Sequence, residues 1–504
     1  MSIQFSEIPS DNLVPMFMTE FDNTNAAKSG AMPWKNLLIG QPLKEKNETD
    51  LKQITSDEQA DSLYGAGSQL ALMIRAFRKN TRNSELWVLP IPDSETSAKA
   101  TGKITATVDG DIPEGETEKV LPSSGSIRLM VGGQKVAVNV TAGNNASEVA
   151  ASIAEAINEN GNLPVTAKAE TSAVTLTAKN AGNCGLGIDI RVNHYQGEEL
   201  PAGLSLEIEA MKNAGADPEY GDALIKGKIE GTWFNAIAIG SSEIGNVQYV
   251  KELLDERWTA TVQETGVLFF SLNGGKESGT ASLEETTARA ESLNSQVVVM
   301  PSIPETPTPG FEVAAAVLGC VAPKALNDPA MPLSNWAVKG IVAPKETERE
   351  GLEGNNAILK AGAALLVATN DGSVYLKRIV TTYKRTANGA KDTSYQQLEK
   401  VFTLSFLRWD WNNYLAGRYP HAKLADDGTD FGPGQVIMTP KLGEAELLGR
   451  YEYWISKGLV QNYDTFKENL VVCRDPDDDT ALQFLIPADL IDQFFIGKSK
   501  IQFN

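Results

Sequence analysis

Chemistry at a protein site needs a reactive side chain beside a group that activates it, and this chain offers few such pairs. It has two histidines, His194 and His421. A serine–histidine–carboxylate hydrolase needs an imidazole oriented by a carboxylate and placed next to the serine. His421 falls in Tyr419-Pro420-His421-Ala422-Lys423, which reads as a loop with Asp426 and Asp427 solvated nearby. Gly240-Ser241-Ser242-Glu243-Ile244 approaches a nucleophile elbow but lacks the final glycine. Asn273-Gly274-Gly275-Lys276-Glu277 invites a phosphate-loop reading. Phe270 stands where the first glycine belongs, however, and Glu277 where magnesium needs a hydroxyl, so a polar turn is the better account. Asp475, Asp477, Asp478 and Asp479 resemble part of a calcium loop, yet Thr480 replaces its turn glycine and Ile486 its bidentate glutamate. A solvated hairpin turn is expected there. Cys184, Cys320 and Cys473 form no C-x-x-C pair and read as buried, reduced thiols in a reducing compartment. No catalytic, cofactor or metal constellation stands, which favours a structural role.

The elements that surround these residues tell more. At 504 residues the chain is too long for one core, so about two to four domains are expected. Sixty-five acidic against 45 basic residues leave a formal charge of −20, a field that disfavours nucleic acid and favours solubility. No apolar run reaches the length of a membrane span, and no secretory leader is visible.

After an N-terminal arm (1–28), Lys35 to Gly40 reads as a buried strand. A single helix with Ser56 as N-cap and Ala60, Leu63, Leu70, Ile74 and Phe77 on its apolar face follows, then a strand at Glu85 to Leu89. These make the first part of an α/β core (29–95). Residues 96–212 change character, becoming rich in Gly, Ser, Thr, Ala and Val. They read as an inserted β-rich surface domain that stands off the body, with a hairpin around Gly132-Gly133-Gln134. Apolar strands at Phe234–Ile239, Val267–Ser271 and Val297–Met300 alternate with amphipathic helices in the second core part (213–350). That alternation predicts a parallel sheet covered on both faces. A C-terminal α+β domain (351–487) holds a hairpin around Asn370-Asp371-Gly372, and helices near Ser394–Ala416, Glu444–Lys457 and Tyr463–Glu468. The aromatic run Phe406 to Tyr414 reads either as core filling or as a partner-binding helix face.

Both ends carry apolar residues in extended patterns: Ile3, Phe5, Ile8, Phe17 and Phe21 at the start, Phe494, Phe495, Ile496, Ile501 and Phe503 at the finish. Free ends normally fray into solvent, and a terminal strand needs an edge to pair with. The pattern predicts a subunit completed by its neighbours.

Several segments, in order along nearly the whole chain, carry a resemblance. They are Phe5-Ser6-Glu7-Ile8-Pro9, Leu37-Leu38-Ile39-Gly40-Gln41, Tyr64-Gly65-Ala66-Gly67-Ser68 and His421 through Thr429 with Phe431-Gly432-Pro433-Gly434-Gln435. Phe466 through Val472 and Ile486-Pro487-Ala488-Asp489-Leu490 through Ile501-Gln502-Phe503 complete the set. In these the chain resembles the tail sheath proteins of contractile bacteriophages, in particular the Mu-like branch. The resemblance implies an α/β core loosely like subtilisin but without its catalytic residues, and no cofactor. It also implies a helical homopolymer of stacked rings around a tail tube, bounded by baseplate and tail terminator proteins, assembled in the host cytoplasm and resident in the virion. Arms at 1–28 and 488–504 would add strands to a neighbour's sheet containing Leu470, Val471, Val472, Leu482, Phe484 and Ile486. The other readings are a subtilisin-like hydrolase on the same core, and the sheath of a phage-tail-like bacteriocin or secretion device.

Overall fold

The computed structural model describes residues 32–503 apart from 47, 115–116, 276–278 and 433. Strand β1 (Asn36–Gly40) is buried along its whole length, and β2 (Lys52–Gln53) is a short edge strand. Two helices, α1 (Asp57–Tyr64) and α2 (Gln69–Asn80), stand where the apolar periodicity predicts one. Ser56 caps α1 and Ser68 caps α2, each accepting from an N–H three residues on. The break is conformational: Gly65 and Gly67 take φ of 86° and 78°, a region that opposes helix continuation. Gly67 also abuts the insert, since a Cβ there would lie 2.3 Å from the Leu163 carbonyl oxygen. Gly67→Ala should therefore destabilise the fold by about 2 kcal/mol or more, read as a lower denaturation midpoint. An unchanged midpoint would show that the break is soft. Strand β3 (Leu86–Pro90) then pairs parallel with β1.

The insert is built from β4 (Thr101–Val108), β5 (Gly125–Val131), β6 (Gln134–Val140), α3 (Ala146–Glu159), β7 (Val165–Glu170), β8 (Ala173–Ala178), β9 (Ile190–Val192) and β10 (Leu204–Lys212). Two antiparallel sheets, ordered β10-β4-β8-β7 and β6-β5-β9, share with α3 a separate hydrophobic cluster around Ile104, Leu129, Ile153 and Leu176. It does not stand off the body as expected. Asn180 accepts from the Gln69 N–H at 2.8 Å and donates to the Pro42 carbonyl, while Gln41 donates to both Asp93 and the Ala181 carbonyl at 2.7 Å. A further ion pair, Arg191–Glu348 at 3.2 Å, bridges the same seam.

Past the short helix α4 (Lys226–Ile229) come β11 (Ala236–Ile239), α5 (Ile244–Trp258), β12 (Val267–Phe269), α6 (Leu283–Glu291), β13 (Val298–Val299), β14 (Pro301–Ser302) and α7 (Gly310–Asn327). The main sheet runs β13-β12-β11-β1-β3-β2, parallel except for β2. Alternate residues of its strands feed two cores: Leu38, Ala238 and Phe269 meet α2 and α7 on one face, while Leu37, Ile39, Ile237 and Leu268 meet α5 on the other. Ser282 and Glu285 close the expected capping box on α6.

The chain continues through β15 (Trp336–Ala337), α8 (Leu352–Ala361), β16 (Ala364–Ala368) and β17 (Val374–Arg378). The sheet order β14-β16-β17-β15 ties this hairpin to β14, the short strand directly after β13. Helix α9 (Leu398–Arg418) begins four residues after Ser394, because Tyr383 and Ser394 hold Asp392 in a preceding turn. Its first half (Leu398, Phe402) belongs to the main core and its second (Leu407, Trp411) to a small cluster farther on. The chain then runs through the β18 (Lys423–Leu424)–β19 (Ile437–Met438) pair, α10 (Pro440–Ser456), β20 (Val460–Gln461), α11 (Tyr463–Asn469), β21 (Val471–Arg474), β22 (Leu482–Leu485) and β23 (Asp489–Leu490), and α10, β20, α11, β22 and β23 contribute to that cluster. Among the described residues no helix is long and apolar enough to cross a membrane.

Candidate polymerisation site

The small C-terminal cluster is rigid at its centre. Tyr451 stacks on Phe466 at 3.6 Å and donates to the Gln461 carbonyl at 2.6 Å. The buried Asp410 accepts from Trp454 Nε1 at 2.6 Å and pairs with Arg450. Over this base lies the β21–β22 hairpin, in register Val471↔Leu485 through Arg474↔Leu482. Leu482 and Phe484 pack on Gly443 of α10, and Phe484 sets its ring edge against Trp411 at 5.3 Å. The other side of the hairpin faces solvent, with Val471 49% and Leu485 62% exposed. Among the described residues neither outer edge of this two-stranded sheet has a partner strand. Such an edge presents a row of free main-chain donors and acceptors.

The tail divides in two. Its root is tied to its own body: β23 pairs with β20, the Ile491 N–H donates to the Leu459 carbonyl at 3.1 Å, and Asp492 pairs with Lys400 at 2.9 Å. Gln493 donates to the Ala330 carbonyl, and the Arg378 guanidinium lies 4.9 Å over the Phe495 ring. Beyond it the chain to Phe503 is in neither helix nor strand, and Ile501 and Phe503 are 87% and 93% exposed.

Of the residues singled out from sequence, Phe494, Ile496, Ile501 and Phe503 are exposed, whereas Phe495 has a seat. Leu470, Phe484 and Ile486 pack on the C-terminal cluster, and Val472 and Leu482 are half-buried beside them; Val471 turns outward. Ile3, Phe5, Ile8, Phe17 and Phe21 lie outside the described residues. The sequence contained no signal for Arg378, Lys400 or Gln493, which are single polar residues on separate elements.

No protein-family model matches the chain. The Mu-like prophage FluMu tail sheath protein of Haemophilus influenzae is 31% identical over 506 residues, covering 100% of both chains. The chain belongs to the Mu-like tail sheath family. Two solved structures are also similar. The sheath tail protein of Desulfitobacterium hafniense is 12% identical with a TM-score of 0.45, over 95% of this chain and 100% of that one. The contracted helical sheath of the anti-feeding prophage is 10% identical with a TM-score of 0.45, over 98% and 99%. The family assignment rests on the Haemophilus relative.

In this sheath protein the groups that invited a catalytic reading have other duties. Ser241 donates to Asp217 at 2.6 Å and accepts from Asn246, and neither histidine touches it. Burial raises the Asp217 carboxyl to about 6. His194 meets the Ala343 carbonyl at 3.1 Å, and burial holds its pKa below the ordinary value. His421 is exposed in its loop. Asp475 to Asp479 form the turn between β21 and β22, with Asp475 accepting from the Asp477 N–H. No three metal-capable side chains converge among the described residues. Cys184 and Cys320 are buried, but Cys473 is exposed, against expectation, because it falls on the outward face of β21. The Phe406–Tyr414 run fills core with Leu407 and Trp411, the reading that helix burial favours.

Proposed function

We propose that this sheath subunit polymerises into stacked helical rings around a tail tube, linked by strands that each copy lends to the next. The supporting observation is the pairing of opposites on one molecule: among the described residues, an apolar tail without a strand partner and a hairpin with two open edges. Strand addition gains a ladder of main-chain hydrogen bonds plus pockets for alternate side chains. The lent segment in this reading is residues 496–503, shorter than 488–504, because residues 489–495 are seated at home. An N-terminal arm (1–28) supplies the second strand. The core corresponds to the subtilisin-like layer of the family, emptied of catalysis. Baseplate and terminator proteins bound the polymer, which assembles in the host cytoplasm and resides in the virion.

Contraction exchanges one set of body-to-body contacts for another while the lent strands persist, driving the tube through the host envelope without nucleotide or enzyme chemistry. Negatively stained full-length protein should show rings or tubes; monodisperse particles at high concentration would reverse this reading. Ile496→Pro removes one ladder donor from the lent strand. Its critical concentration for polymer should rise about fivefold or more, from a lost bond of about 1 kcal/mol. Sedimentation at graded concentrations measures it.

A further inference from the structure

A pocket of 160 Å3 lies where three segments meet. Arg75 and Lys79 come from α2, Thr308 and Glu312 from the first turn of α7 and its approach, and Gly133 and Gln134 from the β5–β6 turn of the insert. The turn comes close because Gly133, at φ 73°, has no side chain; a Cβ would sit 3.0 Å from Thr308 Oγ1. Two of its lining residues each carry a buried polar atom without a hydrogen-bond partner, Glu312 Oε1 and Arg75 Nε. Glu312 is 6% exposed. Each such orphan costs about 1–3 kcal/mol unless something fills the space between.

We propose that this pocket binds a small tetrahedral oxyanion of the phosphate and sulfate class, clamped between core and insert. Arg75 Nε–H and the Lys79 ammonium are donors for its oxygens, and the positive end of the eighteen-residue α7 adds to their field. Arg75 Nη2 is engaged with Asp61, while its Nε has no partner. Glu312 takes part as a neutral acid whose O–H donates to the anion. Burial favours that proton-bound form, opposed by Lys79 and Arg75 alone among charged groups. The insert's turn brings no titratable side chain. The volume exceeds that of one water, which occupies about 30 Å3, and Leu72 is the one large apolar side chain in a lining that is otherwise polar or glycine.

Equilibrium dialysis of the full chain against labelled inorganic phosphate, at constant ionic strength in chloride, tests this. Binding should saturate at one per chain, compete with sulfate, and weaken as pH rises past about 8 because ionised Glu312 repels the anion. Lys79→Ala, at an exposed position, should weaken it about tenfold or more. Glu312→Gln keeps an N–H donor, so it should retain binding and lose the decline at high pH. No saturable uptake, or uptake indifferent to both variants, would leave only water in the pocket and overturn the proposal.

Discussion

A chain ending at Phe495 should stay monomeric at concentrations where the full chain forms tubes, and should still unfold in the same cooperative transition. The expected effect is large because, in the proposed assembly, the deleted segment lends many hydrogen bonds to a neighbour, and it makes none to its own body among the interactions described. Residues 489–495 keep β20–β23, the Lys400–Asp492 pair and the Arg378–Phe495 contact, so the C-terminal cluster loses nothing. Sedimentation velocity reads the first half of the result and calorimetry the second. Tubes from the truncated chain would sink the lent-strand assignment. A truncated chain that fails to fold would show instead that residues 496–503 serve their own body.

Glu312→Gln should make the protein more stable at pH 8 while leaving it nearly unchanged at pH 5. Burial raises this carboxyl from the ordinary 4.5 to about 8. Between those values the unfolded chain releases the proton and the folded chain keeps it, so the folded state binds more protons and stability falls as pH rises. The slope is about 1.4 kcal/mol per pH unit, or about 3–5 kcal/mol across the window. An amide cannot ionise, and its curve should stay flat there. Chemical denaturation in phosphate-free chloride buffers measures both. Parallel curves for the two proteins would mean that Lys79 and Arg75 keep Glu312 ionised throughout.

Much of the architecture is legible in the residues, and what is not has a physical reason. Asn36-Leu37-Leu38-Ile39-Gly40 is apolar on both faces, as a central parallel strand must be, and Ser282 with Glu285 announces a helix start chemically. The break at Gly65-Ala66-Gly67 is hidden because apolar spacing survives across it while backbone angles do not. The docking of the insert is hidden for a related reason. Asn180, Gln41 and Asp93 have no periodicity, and their partners lie 52 to 140 residues away. For the tail, exposed aromatics at the end of the chain are visible in sequence. The Arg378 seat of Phe495, which in the proposed assembly divides home segment from lent segment, is not, since an arginine on a strand has no distinguishing neighbours.

The sheet order reverses at β1, with β3 on one side and β11 on the other, and in open α/β sheets the crevice at such a point is where small molecules bind. Here Gln69 fills it, donating to the Gly240 carbonyl and accepting from the Gln41 N–H, with Asn180 of the insert locked behind. The spot that enzymes keep vacant for a substrate has become a keystone. A load on the insert would therefore pass through these hydrogen bonds straight into the middle of the sheet.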